Sequence, residues 1–417
     1  MFKDKKRLRE IGQNALIAAL IVSAVLLARA NGLFGKHAAD SPQSSAPVAE
    51  GSITAAAVPF SMAVIPDAPG ARCGITHGEA ALEEMFGRFS ATLGEALGSA
   101  GAPQNVSQAQ WENALTGTGV FFDYLYGQPL SVLSGWLGTE TSESVGEHTA
   151  RRLCLAAEED GLALYFEETS LREYYRCTTA LTASSILPRM QEYSPNGARF
   201  VWELTDDRAM DAYTLMEDGL IVLPKLSAAN PLRDAESYGQ ISALMGLSGV
   251  ARSYSEADGV VYVENDVTLR ISGSGTVSYR GGENGLELGS ARSLLSVVEA
   301  ARALCQQGPG SSCGAARLSL SGLEYDRSSD TCHLRFDYSV EGIPLRLAEG
   351  SAAEITVTGG RLQEATLHFC SYTTREETVT PLPRMLALAA VRAVGGGEPL
   401  LAYTDNHKEI ELQWLAA

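Results

Sequence analysis

Eighteen residues, Ile11 to Ala28, form an apolar run interrupted only by Gly12, Gln13, Asn14 and Ser23, and Lys3, Lys5, Lys6, Arg7 and Arg9 stand just before it. As a helix the run would be about 27 Å long, close to the hydrocarbon thickness of a bilayer. A basic flank stays on the cytoplasmic side. The pattern therefore predicts a cytoplasmic stub at 1–10, a transmembrane helix at 11–28 and an extracytoplasmic body beyond. Ala28-Arg29-Ala30 is a small-x-small sequence that a signal peptidase can cut, so cleavage stays open as the alternative to a retained single-pass anchor. Residues 29–58 follow, dominated from Gly35 onward by Ala, Ser and Pro. Such a stretch cannot bury enough surface to offset ordering, which predicts a flexible linker.

Charge divides at the same place. Residues 1–36 carry seven bases and two acids, a charge of +5, which leaves −23 for residues 37–417 out of the total of −18. A body this acidic, without a basic stripe, repels phosphate backbones, so no nucleic-acid partner is expected. The remaining chain is long enough for two or three domains.

Three segments follow the linker. Residues 59–230 read as an N-terminal α+β domain. Its helices are predicted at Gly78–Gly98, after Ser107 through Leu115, and from Pro129 past Trp136. Gly119–Tyr126 reads as a strand. Hairpins are predicted at Leu153–Ala157/Leu162–Phe166 and at Ala212–Met216/Leu220–Leu223. Residues 231–286 read as a helix-and-hairpin module, with a helix at Asp234–Leu247 and strands at Gly259–Glu264, Val267–Ser272 and Thr276–Arg280. Residues 287–417 repeat the plan: a helix at Ser290–Gln306, then a meander of strands at Ala316–Tyr325, Thr331–Val340, Ile343–Leu347, Glu354–Thr358 and Arg361–Tyr372. A helix at Pro383–Val394 and a strand at Glu409–Leu415 close it. The fold class expected is α+β with antiparallel sheets.

Chemistry leaves few traces. The seven cysteines, Cys73, Cys154, Cys177, Cys305, Cys313, Cys332 and Cys370, are odd in number and form no C-x-x-C. Only Cys305 and Cys313, joined by a Gly/Pro/Ser loop, invite pairing; the competing reading is that they are small buried hydrophobes. Cys332, His333, His368 and Cys370 tempt one towards zinc. Strand alternation places Cys332 and His333 on opposite faces, and His368 with Cys370 alone makes no closed site. His148 lies in the polar stretch SESVGEHTARR and reads as a surface residue. Trp111, Tyr124, Tyr126 and Trp136 read as core, although an exposed aromatic patch would have the same spacing. The acidic pairs fall at turns, the glycine-rich SGSGTVSYRGG reads as a hairpin, and no G-x-S-x-G elbow occurs. No catalytic, cofactor-binding or metal residue is assigned, and no enzyme is expected.

The arrangement resembles the YycH/YycI family, accessory proteins of the WalK/WalR two-component system in low-GC Gram-positive bacteria. The likeness spans roughly residues 105–415 and is carried by hydrophobic pattern and turns. It lies in GVFFDYLYGQPLSVLSGWLG (Gly119–Gly138), in the passage from Ile241 to Gly282, and in CHLRFDYSVEGIPLRL around Gly342. AEITVTGGRLQEATLHF and the ending LLAYTDNHKEIELQW, with Trp414, complete it. The resemblance implies YycI-like C-terminal modules and regulation without chemistry. It also implies contact between the membrane helix and a WalK-like sensor histidine kinase, with a YycI-like partner in the complex. Ala15, Ala18, Ala19, Ser23 and Ala24 would permit close helix packing in lipid. Two other classes fit the pattern of small helix-and-meander modules: a cell-envelope peptide-binding or protease-inhibitor-like module, and an envelope hydrolase.

Overall fold

Strands that bury one face alternate apolar with polar, whereas strands covered on both faces are apolar throughout. The segment from Gly119 is of the second kind. Val120, Phe122 and Tyr124 enter one core, and Phe121 enters another on the opposite side. In the next two strands Leu153, Leu155, Leu164 and Phe166 join the first core, while Cys154, Ala156, Ala163 and Tyr165 join the second. The computed structural model of the chain describes residues 55–66, 71–169, 171–248, 251–288 and 293–417. The apolar run at 11–28 and all but the last four residues of the 29–58 linker lie outside them. Among the described residues no helix is long and apolar enough to cross a membrane.

The doubly covered sheet contains β1 (Ser61–Ile65), β2 (Cys73–Ile75), β3 (Gln104–Val106), β4 (Gly119–Pro129), β5 (Thr149–Glu158), β6 (Gly161–Glu168) and β7 (Glu173–Thr178). Their order is β2-β1-β4-β5-β6-β7-β3, antiparallel throughout. Helix α1 (Glu79–Gly98) lays Leu82, Met85, Phe86, Phe89, Leu93 and Leu97 on its first face. Helix α2 (Gln108–Thr116) covers the second through Trp111, and its start is fixed by Ser107, which forms a capping box with Gln110. Helix α3 (Leu130–Trp136) begins directly after Pro129, and the single turns α4 (Glu143–Gly146) and α5 (Leu187–Met190) follow.

The rest of the chain builds a second, larger sheet. A short ladder joins β8 (Arg199–Phe200) to β9 (Leu215–Met216), and β10 (Leu223–Ala229) leads to α6 (Ala235–Leu244). Then come β11 (Arg252–Glu256), β12 (Gly259–Glu264), β13 (Val267–Ser272), β14 (Thr276–Arg280) and α7 (Leu294–Gln307). The meander comprises β15 (Arg317–Asp326), β16 (Thr331–Val340), β17 (Ile343–Leu347), β18 (Ala353–Thr358), β19 (Arg361–His368) and β20 (Ser371–Val379). Helix α8 (Arg384–Ala393), β21 (Pro399–Asp405) and β22 (Ile410–Ala416) close the chain. Eleven of these strands form one sheet in the order β11-β12-β13-β14-β19-β18-β16-β17-β21-β22, with β15 on the other side of β16. The pairing of β14 with β19 runs this sheet across the boundary between segments 231–286 and 287–417.

Local pattern and long-range pairing part company at three places. The hairpin expected at 212–223 does not form: β9 pairs with β8, and β10 pairs with β20, about 150 residues on. Alternation selects which face a strand buries and is silent on its partner. The run expected from Arg361 to Tyr372 is two strands, because the chain turns at Phe369-Cys370 so that β20 can reach β10. Strands β1, β2, β3, β7, β8, β11 and β21 are not read from the sequence; among them β11 is polar and wholly exposed, and β21 follows three glycines.

Two left-handed glycines separate the cost of conformation from the cost of close approach. Gly314 (φ 69°) would place a Cβ 2.1 Å from the Tyr372 carbonyl oxygen, whereas a Cβ on Gly359 (φ 56°) would meet nothing within 4 Å. Gly359→Ala should cost only the conformational strain of about 1–2 kcal/mol. Gly314→Ala should lower the urea unfolding midpoint clearly further, since backbone must move to admit the methyl. Equal midpoints would contradict this packing.

Candidate functional site

A bulge adds an extra residue to a strand and re-aims its side chain. In β5 Arg151 is that residue, lying between the pairs Ala150–Glu168 and Arg152–Glu167, so two neighbouring arginines reach the same carboxylate, Asp123. Arg152 is fully buried: Nε donates to Asp123 Oδ2 (3.0 Å), Nη1 to Glu167 Oε2 (3.1 Å) and Nη2 to Asp211 Oδ1 (2.8 Å). Arg151 donates from Nε to Asp123 Oδ1 (2.9 Å) and from Nη1 to Glu398 Oε2 (2.7 Å), and its Nη2 bonds both carboxylates. Asp123 belongs to β4, Glu167 to β6, Asp211 to the β8–β9 connection, and Glu398 immediately precedes β21 of the second sheet. One arginine pair thus ties three strands and a loop to the chain's C-terminal segment.

The conformation of β4 makes this reach possible. Asp123 lies opposite Arg152, yet Gln128 lies opposite Ala150, so Tyr124–Gly127 are extruded as a bulge facing the single residue Arg151. Leu125 takes a left-handed conformation there (φ 64°), and its N–H is held by Asp123 Oδ1 at 2.8 Å. The bulge carries Tyr126 across to the second sheet, where its hydroxyl donates to Asp337 Oδ2 of β16 (3.0 Å). Gln128 Nε2 donates to the Leu320 carbonyl of β15 (3.2 Å). On the other flank Trp136 Nε1 donates to Glu299 Oε1 of α7 (2.6 Å).

Where the sheets separate, a cavity of about 80 Å³ opens against the arginine pair. Asp123, Arg151, Thr214 and Glu398 face it, and its walls include Phe60, Leu125, Ile343, Leu400, Leu401 and Trp414. At the rim Glu217 Oε1 accepts from Thr76 N (2.6 Å) and Thr76 Oγ1 (2.8 Å) and lies 3.2 Å from His77 Nδ1. The other lip, Pro381–Arg384, is fastened by Arg384, whose Nη2 lies 3.3 Å from Asp218 Oδ1.

Electrostatics sets the protonation of this site. Burial pushes the Asp123 carboxyl up, but the guanidinia of Arg151 and Arg152 outweigh it and bring the carboxyl down to about 2. Asp211 is lowered by the same competition of burial against Arg152 and Arg151. Glu167 is raised, because burial and the neighbouring Asp211 prevail over the two arginines. A carboxylate clamped in its ionised form is a poor proton donor, so Asp123 and Asp211 serve as anchors.

Residues singled out by the sequence fall elsewhere. Trp111, Tyr124 and Trp136 are core, and Tyr126 is half-buried under its bond to Asp337. Cys332 is buried while His333 faces outward, bonded to Thr356 Oγ1 at 3.0 Å. His368 Nδ1 is 3.3 Å from Thr276 Oγ1. All seven cysteines are thiols; Cys305 and Cys313 are buried and unbridged, and burial raises Cys332 to about 11. His148 is not a surface residue: its ring is half-buried 4.6 Å from Tyr175, with Nδ1 2.9 Å from Glu168 Oε2. The arginine pair, four residues from its acidic neighbour Glu147, had no sequence signal beyond two charges in an otherwise apolar strand.

No protein-family model matches the chain, and no curated protein matches its sequence. Among solved structures, the crystal structure of YycH from Bacillus subtilis is similar over 84% of this chain and 92% of that chain, with a TM-score of 0.54 and 11% sequence identity. The chain has a YycH-like fold of mixed helices and antiparallel sheets, and the YycH resemblance read from its hydrophobic pattern holds at the level of the fold.

Removing Arg152 leaves three carboxylates without their buried partner, so Arg152→Met should destabilise the protein by about 3–5 kcal/mol at pH 7. Asp123 and Asp211 have folded values below their unfolded ones. The stability they contribute is therefore present above about pH 4 and is lost as pH falls towards 2. The gap between wild type and Arg152→Met should narrow over that window in urea titrations. A gap that stays constant from pH 6 to pH 2.5 would contradict the assignment.

Proposed function

We propose that this chain is a membrane-anchored extracytoplasmic accessory protein that modulates a sensor histidine kinase of a cell-wall two-component system. It would act through protein–protein contacts and through the transmembrane helix at Ile11–Ala28, alongside a WalK-like kinase and a YycI-like partner. The observation that carries the reading is the YycH-like fold, which extends over most of both chains. The basic stub, the apolar run and the acid-rich remainder support the same topology, with the N-terminus cytoplasmic and the body outside. Small residues along the run, Ala15, Ala18, Ala19, Ser23 and Ala24, suit helix packing in lipid. The clamped carboxylates of the seam favour a non-catalytic role. Under this reading the segments 59–230, 231–286 and 287–417 work together as one binding body.

Replacing Ile11–Ala28 with an unrelated apolar helix of equal length tests the proposal. Kinase-dependent reporter output should lose its dependence on this protein, while protease protection assays show the body still exported. Output that remains fully responsive would rule out regulation through the helix.

A further inference from the structure

A backbone stretch that lines an apolar cavity while leaving its own N–H and C=O groups unpaired offers a peptide both a ladder and a pocket. The turn after β9 is such a stretch. Between Gly219 and Val222 no backbone N–H or C=O forms a hydrogen bond with any described residue. These residues lie at the mouth of the seam cavity, where Gly219, Leu220 and Ile221 form part of the lining. Their apolar side chains are not withdrawn: Leu220 is 74% exposed and Val222 48%. The facing lip repeats the feature, with Leu382 49% exposed and, in the first turn of α8, Met385 and Leu386 at 56% and 57%. Soluble proteins rarely gather exposed leucines around an open apolar cavity without a partner for them.

Charge narrows the choice of occupant. The cavity is lined by the carboxylates Asp123, Glu217 and Glu398 against the guanidinia of Arg151 and Arg384, and Asp218 stands exposed on the lip. Both arginines are already bonded to carboxylates, and the chain beyond residue 36 carries −23. The local field therefore favours a basic ligand. A small amphiphile would fill the cavity and leave four consecutive backbone groups unused, whereas an extended peptide satisfies both.

We propose that the seam cavity is a docking site for an extended apolar segment of a partner protein that bears a basic residue. The segment pairs as a strand with Gly219–Val222 and places alternate side chains between Leu220 and Leu382 into the cavity. Four paired residues span about 13 Å, enough to seat two inward-pointing side chains. The inference stands on the cavity and its free backbone, and it holds whether or not the partner belongs to a kinase complex.

The test uses the full-length chain in nanodiscs and a fluorescein-labelled heptapeptide with alternating leucine and threonine between terminal lysines, followed by fluorescence anisotropy. Saturable binding is expected. It should weaken at least about tenfold in Leu220→Asp and in Leu382→Asp, and by a similar factor for a peptide N-methylated at alternate amides. Replacing the terminal lysines with glutamates should weaken it as well. Val394→Asp, at a position just past α8 that is 73% exposed and does not line the cavity, should leave binding unchanged and shows that an added surface charge near this face is harmless in itself. Absence of saturable binding would overturn the proposal. So would equal affinity for the N-methylated peptide, which would mark the cavity as a small-amphiphile site. Dimerisation of the chain that is abolished by Leu220→Asp, without peptide binding, would assign the face to a second copy instead.

Discussion

The ion pairs of Arg151 and Arg152 are the constraint on which the described part of this molecule turns. Buried charges are costly unless every one is paired, and here two guanidinia meet four carboxylates from β4, β6, the β8–β9 connection and the segment before β21. Because the partners come from positions as far apart as Asp123 and Glu398, the pairs can be satisfied only when both sheets are in place. Apolar packing alone would allow the sheets to slide; directional, charge-assisted hydrogen bonds fix where they meet. The β4 bulge serves the same end by delivering Tyr126 to Asp337.

That junction also explains where the cavity lies. Two twisted sheets joined along a line diverge away from it, and the space between Leu125, Leu401 and Trp414 is the opening left on one side. Its floor is the paired charges of Arg151 with Asp123 and Glu398. Its rim is built from the turn 217–222 and the entry to α8, which the Arg384–Asp218 contact fastens together.

Much of the fold could be read from the sequence because it rests on local rules. The stripe Leu82, Met85, Phe86, Phe89, Leu93 and Leu97 announces α1, Ser107 announces the start of α2, and the turn after Glu158 announces the β5–β6 hairpin. What could not be read depends on pairing across long separations. Nothing near Leu223 indicates that its partner is Val379, and nothing near Arg151 indicates that its partner is Glu398. The site was invisible for the same reason. Asp123 and Glu167 are charges within strands, Asp211 and Glu398 come from segments that look like turns, and the walls come from leucines and prolines without a motif. The zinc-like cluster dissolved on a local rule instead, since β16 turns Cys332 inward and His333 outward.

The most direct test of this account is a double-mutant cycle between Arg151 and Glu398, using Arg151→Met, Glu398→Gln and the double variant in urea unfolding at pH 7. If the pair holds the two sheets in register, the effects should be strongly non-additive, with a coupling energy of about 1.5–3 kcal/mol. Additivity within about 0.5 kcal/mol would contradict the account, because the sheets would then be joined by something other than this pair.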